Sequence, residues 1–442
     1  MYNPRRRPSL HGLIPALGLL MALATGAMAP AYASDPGPAM PQPSSTAGSA
    51  LGPAQRHAAL LERSMTEGTV PVIVRLRMPE PPQVGSEAKQ QAALSGARQG
   101  VLNRLGLSTG QDRAGRPVKG FRVMPGLAME VDVIDLMDLL ADPAVLDVHE
   151  DVAYPPTLPD SVPLIGGFGG TFDGYSGVGQ VVAILDTGVD KNHPFLVGKV
   201  VSEACYSSSI PSIGVSSLCP GGSTASTSPG SALNCDSTVP GCFHGTHVAG
   251  IAAGKGGSFS GVARDAQIIA IQVFSLFPSS TCGGAPCVKA YTSDIIRGLE
   301  RVHALRDLHA IAAANLSLGG GGYTSPCDND PTKPVVDALH AVGIATVIAS
   351  GNNGYVNAIS APGCISTAVT VGSTTKTDSI SPFSNSATFL DLVAPGSSIY
   401  SSVPGGTYGY ASGTSMATPH VTGAWAVLKS ANPGAGVTEV LS

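Results

Sequence analysis

No cysteine occurs before position 205 of this 442-residue chain, and all eight fall between 205 and 364. None forms a C-x-x-C pair, so the spacings do not fit a zinc ribbon. An H-E-x-x-H arrangement is also missing, and the histidines of His244-Gly245-Thr246-His247 have no partner acid for a zinc site. Charge is scarce, at 12% of residues with a formal net charge of −5, which gives no basic footprint for nucleic acid or anionic membranes. Beyond the N-terminus no apolar run is long enough to span a bilayer.

What is present fits a globular, exported chain. Hydrophobic residues make up 43%, enough for a sizeable core, and the length allows two or three units. Arg5, Arg6 and Arg7 precede an apolar stretch from Leu13 to Ala29, and Ala31-Tyr32-Ala33 supplies a small-residue cleavage site before Ser34. Pro15 and that small-residue exit argue for a signal peptide over residues 1–33 and against a stable membrane anchor. An even cysteine count in an exported chain reads as disulfides.

Composition then shifts along the chain. Residues 34–53 have the Pro, Ser, Gly and Ala content of a linker. Between Ala54 and Asp151 the pattern predicts strands over 71–76, 126–131 and 145–148 and helices over 88–105 and 133–141, a small β-α-β-α-β unit. Pro155, Pro156, Pro159 and Pro163 mark a boundary at 152–163. From Gly179 to Asp186 the residues are apolar without alternation, as in a strand buried on both faces. Runs at 268–273, 313–318, 345–349 and 368–371 share that character, with helical stretches at 247–253, 293–306 and 334–341 between them. The expected fold is α/β, a helix-covered parallel sheet over residues 164–442. Residues 205–242 read as a surface insertion stapled by four cysteines.

The most specific string is Gly413-Thr414-Ser415-Met416-Ala417-Thr418-Pro419-His420-Val421. A tight turn feeds an apolar helix and puts Ser415 near its positive end, where backbone N–H groups can receive a developing oxyanion. An isolated Gly-Thr-Ser would be an ordinary helix cap. The whole string resembles the nucleophile segment of the subtilisin-like serine proteases, residue for residue. A serine needs a base and a carboxylate to attack an amide, and Asp186-Thr187-Gly188 and His244-Gly245-Thr246-His247 precede it in that family's order, Asp…His…Ser.

The resemblance implies a subtilisin-like fold in which Asp186 is the triad carboxylate, His244 the general base and Ser415 the nucleophile, with His247 a structural neighbour. It implies an oxyanion donor at Asn352, in Ser350-Gly351-Asn352-Asn353-Gly354, and a substrate-binding edge at Ser317, Leu318 and Gly319. Aligning Ala361-Pro362-Gly363 with the family's pocket-lining segment puts Ser360 at the floor of the main specificity pocket, small and uncharged. The 54–151 unit is similar in order and pattern to the family's inhibitory propeptide, with 152–163 as a processing junction and a catalytic domain shorter at its C-terminus than the family's.

If the segments at Ser317 and Ser360 face each other, Cys327 can pair with Cys364, and the Gly/Pro turn between Cys282 and Cys287 suits a local bridge. The cysteines at 205, 219, 235 and 242 then pair among themselves in one of three ways. The chemistry requires no cofactor or catalytic metal, and structural calcium is left open. The expected partners are polypeptide substrates and the chain's own propeptide, with no nucleic acid and a monomeric state. A catalytically silent binding protein on the same fold is the alternative. An α/β-hydrolase is disfavoured, since such enzymes use G-x-S-x-G and place acid and histidine after the serine.

Overall fold

Successive residues of a strand point to opposite faces of its sheet, and Val181–Asp186 is buried at every position. Val181, Ala183 and Leu185 meet one set of helices, packing with Ile295, Leu299, Val336 and Leu339. Val182 and Ile184 meet another, packing with Val248, Ile251, Met416 and Ala426. The strand is therefore the middle of a sheet covered on both sides. The computed structural model describes residues 52–78, 87–107, 111–112, 118–151, 153–154, 174–257 and 259–442. The signal-peptide reading at 1–33 lies outside them, as do the linker reading at 34–53, except Gly52 and Pro53, which cap and open a helix, and the 152–163 junction, except Ala153 and Tyr154.

Eight strands form this sheet, in the order Leu392–Pro395, Val369–Thr374, Ala345–Ala349, Ile311–Leu316, Val181–Asp186, Gln267–Gln272, Val200–Tyr206 and Ala225–Ser226. All neighbours are parallel except the last pair. Asp186 ends its strand opposite Gln272, at the carboxyl edge where ligand and catalytic groups collect in such sheets. Helices His244–Ala253 and Thr414–Ala431 cover one face, Thr292–Ala304 and Lys333–Ala341 the other.

The N-terminal layer is a four-stranded antiparallel sheet ordered Lys119–Gly120, Gly126–Val131, Val70–Leu76 and Val145–Glu150. Helix Val133–Ala141 is capped by Asp132, whose carboxylate accepts the N–H of Ile134 and Asp135, each at 2.9 Å. One element was not expected: helix Pro53–Glu67 precedes the first strand, with Pro53 in its first turn. Only Leu60 and Ser64 are fully buried along it, so its apolar stripe is too narrow to read as a helix from spacing alone.

The layer rests on helix Thr292–Ala304. Glu300 accepts backbone N–H from Arg122 and from Val123, the latter at 2.7 Å. Asp151 accepts the Ser293 N–H at 2.7 Å and also the Ser293 hydroxyl. Lys119 lies 2.9 Å from Asp294. The 205–242 segment is not purely superficial, since Cys205, Ala232 and Cys242 are buried. Its bridges are Cys205–Cys219 and Cys235–Cys242, with Cα separations of 5.6 and 5.2 Å.

Candidate active site

Three segments that are far apart in sequence meet at the carboxyl edge of the sheet. Asp186 and His244 are fully buried, and Asp186 Oδ1 lies 2.7 Å from His244 Nδ1. An ionised carboxylate can only accept, so this contact selects the tautomer with the proton on Nδ1 and leaves Nε2 as the basic nitrogen. Asp186 Oδ1 also accepts the N–H of Thr187 at 2.7 Å. His244 can open its helix against this turn because Gly245 follows it: a Cβ there would stand 2.2 Å from the Gly188 carbonyl oxygen.

His247 lies one turn along the same helix. Its Nε2 is 3.1 Å from the Gly409 carbonyl, and burial pushes its pKa down to about 3, with His244 and His420 adding repulsion. It is thus a neutral side chain at ordinary pH, unsuited to carry the proton of the reaction. Among the described residues, no three His, Cys, Asp or Glu side chains converge as a metal site.

Ser415 sits in the first turn of helix Thr414–Ala431 and is buried. Its hydroxyl donates to the Ser317 carbonyl at 3.0 Å, and the Ser317 hydroxyl returns a bond to the Ser415 carbonyl at 2.6 Å. Asn315 Nδ2 in turn donates to the Ser317 hydroxyl at 2.9 Å. Asn315, part of an Asn-Leu-Ser sequon, is itself fully buried in its strand.

Asn352 is oriented by Thr414. Its Oδ1 accepts the Thr414 N–H at 2.8 Å and the Thr414 hydroxyl at 3.0 Å. With the acceptor end occupied, the amide's remaining capacity is the Nδ2 donor. Gly351 before it has a φ of +104°, and a Cβ there would lie 2.2 Å from Ser360 Oγ. Only glycine fits that backbone and that space.

The Ser317 and Ser360 segments face each other, with Gly320–Tyr323 pairing antiparallel to Ile359–Ala361. Leu318 is buried, and a Cβ on Gly319 would stand 2.9 Å from the Ala361 carbonyl oxygen. Ser360 is buried, and its hydroxyl donates to the Gly321 carbonyl at 3.0 Å. Cys327 and Cys364 are bridged behind these two strands at a Cα separation of 5.3 Å. Cys282 and Cys287 are joined at 5.8 Å.

Sequence reasoning missed Asn385. Its Oδ1 accepts the N–H of Asn353 at 2.9 Å and of Tyr355 at 3.1 Å. Its Nδ2 donates to the Ser350 carbonyl at 3.0 Å and the Ser360 hydroxyl at 3.1 Å. One buried amide thus ties the Asn352 loop to the wall carrying Ser360. In sequence it is one polar residue within Ser384-Asn385-Ser386, which reads as a plain loop.

The carboxyl edge of this parallel sheet thus gathers a buried Asp–His pair, a serine in the first turn of a helix and an oriented Asn. Residues 177–441 match the subtilase family, peptidase S8. Subtilisin E from Bacillus subtilis (strain 168) is 31% identical over 358 residues, covering 79% of this chain and 80% of that protein. An alkaline protease from Alkalihalobacillus alcalophilus is 34% identical over 319 residues, 71% of each chain. A crystal structure of a cold-adapted subtilisin-like serine proteinase aligns with 60% of this chain and 81% of its own, at 31% identity and a TM-score of 0.44. The chain belongs to the subtilase family and is a serine endopeptidase acting on polypeptides.

Proposed function

We propose that this endopeptidase works through Asp186, His244 and Ser415, is exported, and matures by cutting itself free of residues 54–151. His244 Nε2 takes the Ser415 hydroxyl proton as the oxygen attacks the scissile carbonyl, then delivers it to the leaving amine. Asp186 holds the tautomer and stabilises the imidazolium formed between those steps. Asn352 Nδ2 and the Ser415 N–H receive the oxyanion. Water then attacks the acyl-enzyme through the same base. None of these steps calls on a cofactor. The observation that carries this reading is the fully buried 2.7 Å contact between Asp186 and His244.

Peptide substrate lies along Ser317, Leu318 and Gly319 through backbone pairing, with Ser360 under the side chain preceding the cut. That small floor bears no charge, which favours large apolar or aromatic residues over Lys or Arg. Residues 1–33 direct export, 34–53 link, and 54–151 act as a propeptide that holds the enzyme silent until a bond within 152–163 is cut. The layer's bonds to helix Thr292–Ala304 through Glu300, Asp151 and Lys119 support that inhibitory role. The mature enzyme acts as a monomer.

Ser415→Ala tests both halves of the proposal. Turnover should fall roughly a millionfold, a magnitude measured on subtilisin rather than derived for this chain, and the variant should accumulate as uncut precursor. Normal maturation of Ser415→Ala in isolation would remove self-processing. Retained peptidase activity would remove the triad.

A further inference from the structure

The 205–242 segment has no part in the reaction just described, yet its last third touches the Asp–His pair from two sides. Both hydrogen bonds to the Asp186 carboxylate, from Thr187 N–H and His244 Nδ1, fall on Oδ1. Oδ2 is buried with no hydrogen-bond partner among the described residues. Side-chain donors therefore do not fix this carboxylate from both ends, and its alignment with His244 depends on how firmly the two backbones are held.

The backbone contacts supply that hold. On one side, Val189 N–H donates to the Ala232 carbonyl at 2.8 Å and Cys235 N–H to the Thr187 carbonyl at 3.3 Å. Gly188, at φ +91°, passes so close that a Cβ would stand 2.3 Å from the Leu233 carbonyl oxygen. On the other side, Gly245 N–H donates to the Thr187 hydroxyl at 2.9 Å, and that hydroxyl faces the Cys242 carbonyl at 3.5 Å. Asp190 N–H reaches the Thr246 hydroxyl at 2.9 Å. The Cys235–Cys242 bridge closes the circuit, with Cys242 fully buried two residues before His244.

We infer that Ala232–Cys242, closed by Cys235–Cys242 and coupled through Thr187, is a positioning strap that fixes the Asp186 turn against the first turn of the His244 helix. The inference rests on the triad reading above. Among the described residues no hydrogen bond or disulfide joins the strap to Ser317 or Ser360, so it acts on the chemical step and not on substrate binding. Slackening it weakens the Asp186 contact most when His244 carries a positive charge, in the transition state and in the protonated free enzyme. A misalignment near 1 Å can cost on the order of 100-fold in rate.

Two variants read this out: the double Cys235→Ser/Cys242→Ser, and Thr187→Val, which keeps the bridge and removes the coupling hydroxyl. Rates are normalised to active sites titrated with a peptidyl phosphonate. We expect kcat to fall roughly 10–100-fold in each at unchanged KM. The acid limb of kcat/KM should move to lower pH, because the imidazolium loses stabilisation. Thr187→Ser, which restores the hydroxyl, should recover most of the loss. A lower melting temperature with wild-type kcat per titrated site and an unmoved acid limb would make the segment a stability staple and overturn the inference. If the double variant does not fold, the contrast between Thr187→Val and Thr187→Ser decides alone. A wild-type enzyme that the phosphonate does not titrate would instead overturn the triad reading on which this one stands.

Discussion

The N-terminal layer and the sheet domain it rests on are held together by different means. The domain carries four disulfides and buries its central strand on both faces. The layer has no cysteine; one face of its sheet packs on its own helices around Val72, Val74, Leu136 and Leu139, the other turns Ile73, Met124 and Ala128 toward the domain, and Arg56 and His57 lie 2.7 and 2.9 Å from Asp147. On the propeptide reading proposed above, the part that persists is closed covalently and the part that leaves is held without disulfides. The contact between them is mixed: Ile73, Phe121, Met124 and Ala128 of the layer share a buried apolar cluster with Ile296 and Leu299 of the domain, carboxylates at both ends of helix Thr292–Ala304 take up backbone N–H groups, and no disulfide joins the two regions among the described residues.

The comparison is sharpened most by Asn352→Ala. It should lower kcat by about 100–1000-fold with KM nearly unchanged, a magnitude again known from subtilisin, and leave the docked layer intact. An equal rise in KM would mean that the amide binds substrate rather than its transition state. Next in size, removing Cys327 and Cys364 together as alanines should destabilise the domain by about 3–4 kcal/mol on a chain-entropy model of a 37-residue loop. Calorimetry on the mature protein measures it, and a change below about 1 kcal/mol would show that the paired strands hold the pocket wall without the bridge.

The triad candidates were legible because each lies in a short contiguous string whose spacing survives any fold: Asp186 after a buried run, His244 opening a helix, Ser415 after Gly413-Thr414. The parallel sheet was legible for the same reason, since unbroken apolar runs alternate with helical ones. What was not legible depends on partners distant in sequence. Asn385 looks like a loop residue until Ser350, Asn353, Tyr355 and Ser360 surround it. Thr187 looks like part of a turn until Gly245 and Cys242 reach its hydroxyl. The three pairings left open for the cysteines at 205, 219, 235 and 242 were decided by where strand Val200–Tyr206 ends and where the segment doubles back, which spacing alone does not encode.

The smallest expected effect concerns the pH dependence of the layer's contact with the domain. Burial pushes Asp151 up from 3.8 to about 6, with Asp294 adding repulsion while Lys119 and the Ser293 bonds offset part of it. Lys119 and Asp294 come from opposite sides of this contact, and Glu130 lines the same cavity. An acid whose pKa is raised on docking takes up a proton as the contact forms. Asp151's own contribution to docking is therefore fully present below about pH 4 and is lost as pH rises through 6. In the Ser415→Ala precursor, thermal stability should fall over that window, and Asp151→Asn should flatten the fall. Identical slopes with and without Asp151→Asn would assign the pH dependence to other groups.

The central claim, a nucleophile at Ser415 activated by His244 and Asp186, is tested most directly by covalent labelling. Mature protein treated with a peptidyl phosphonate at neutral pH should gain one adduct per chain, which peptide mass mapping places on Ser415. The adduct should be absent from Ser415→Ala and formed far more slowly in His244→Ala. No adduct on the active wild-type enzyme, or one that persists in Ser415→Ala, would contradict the account.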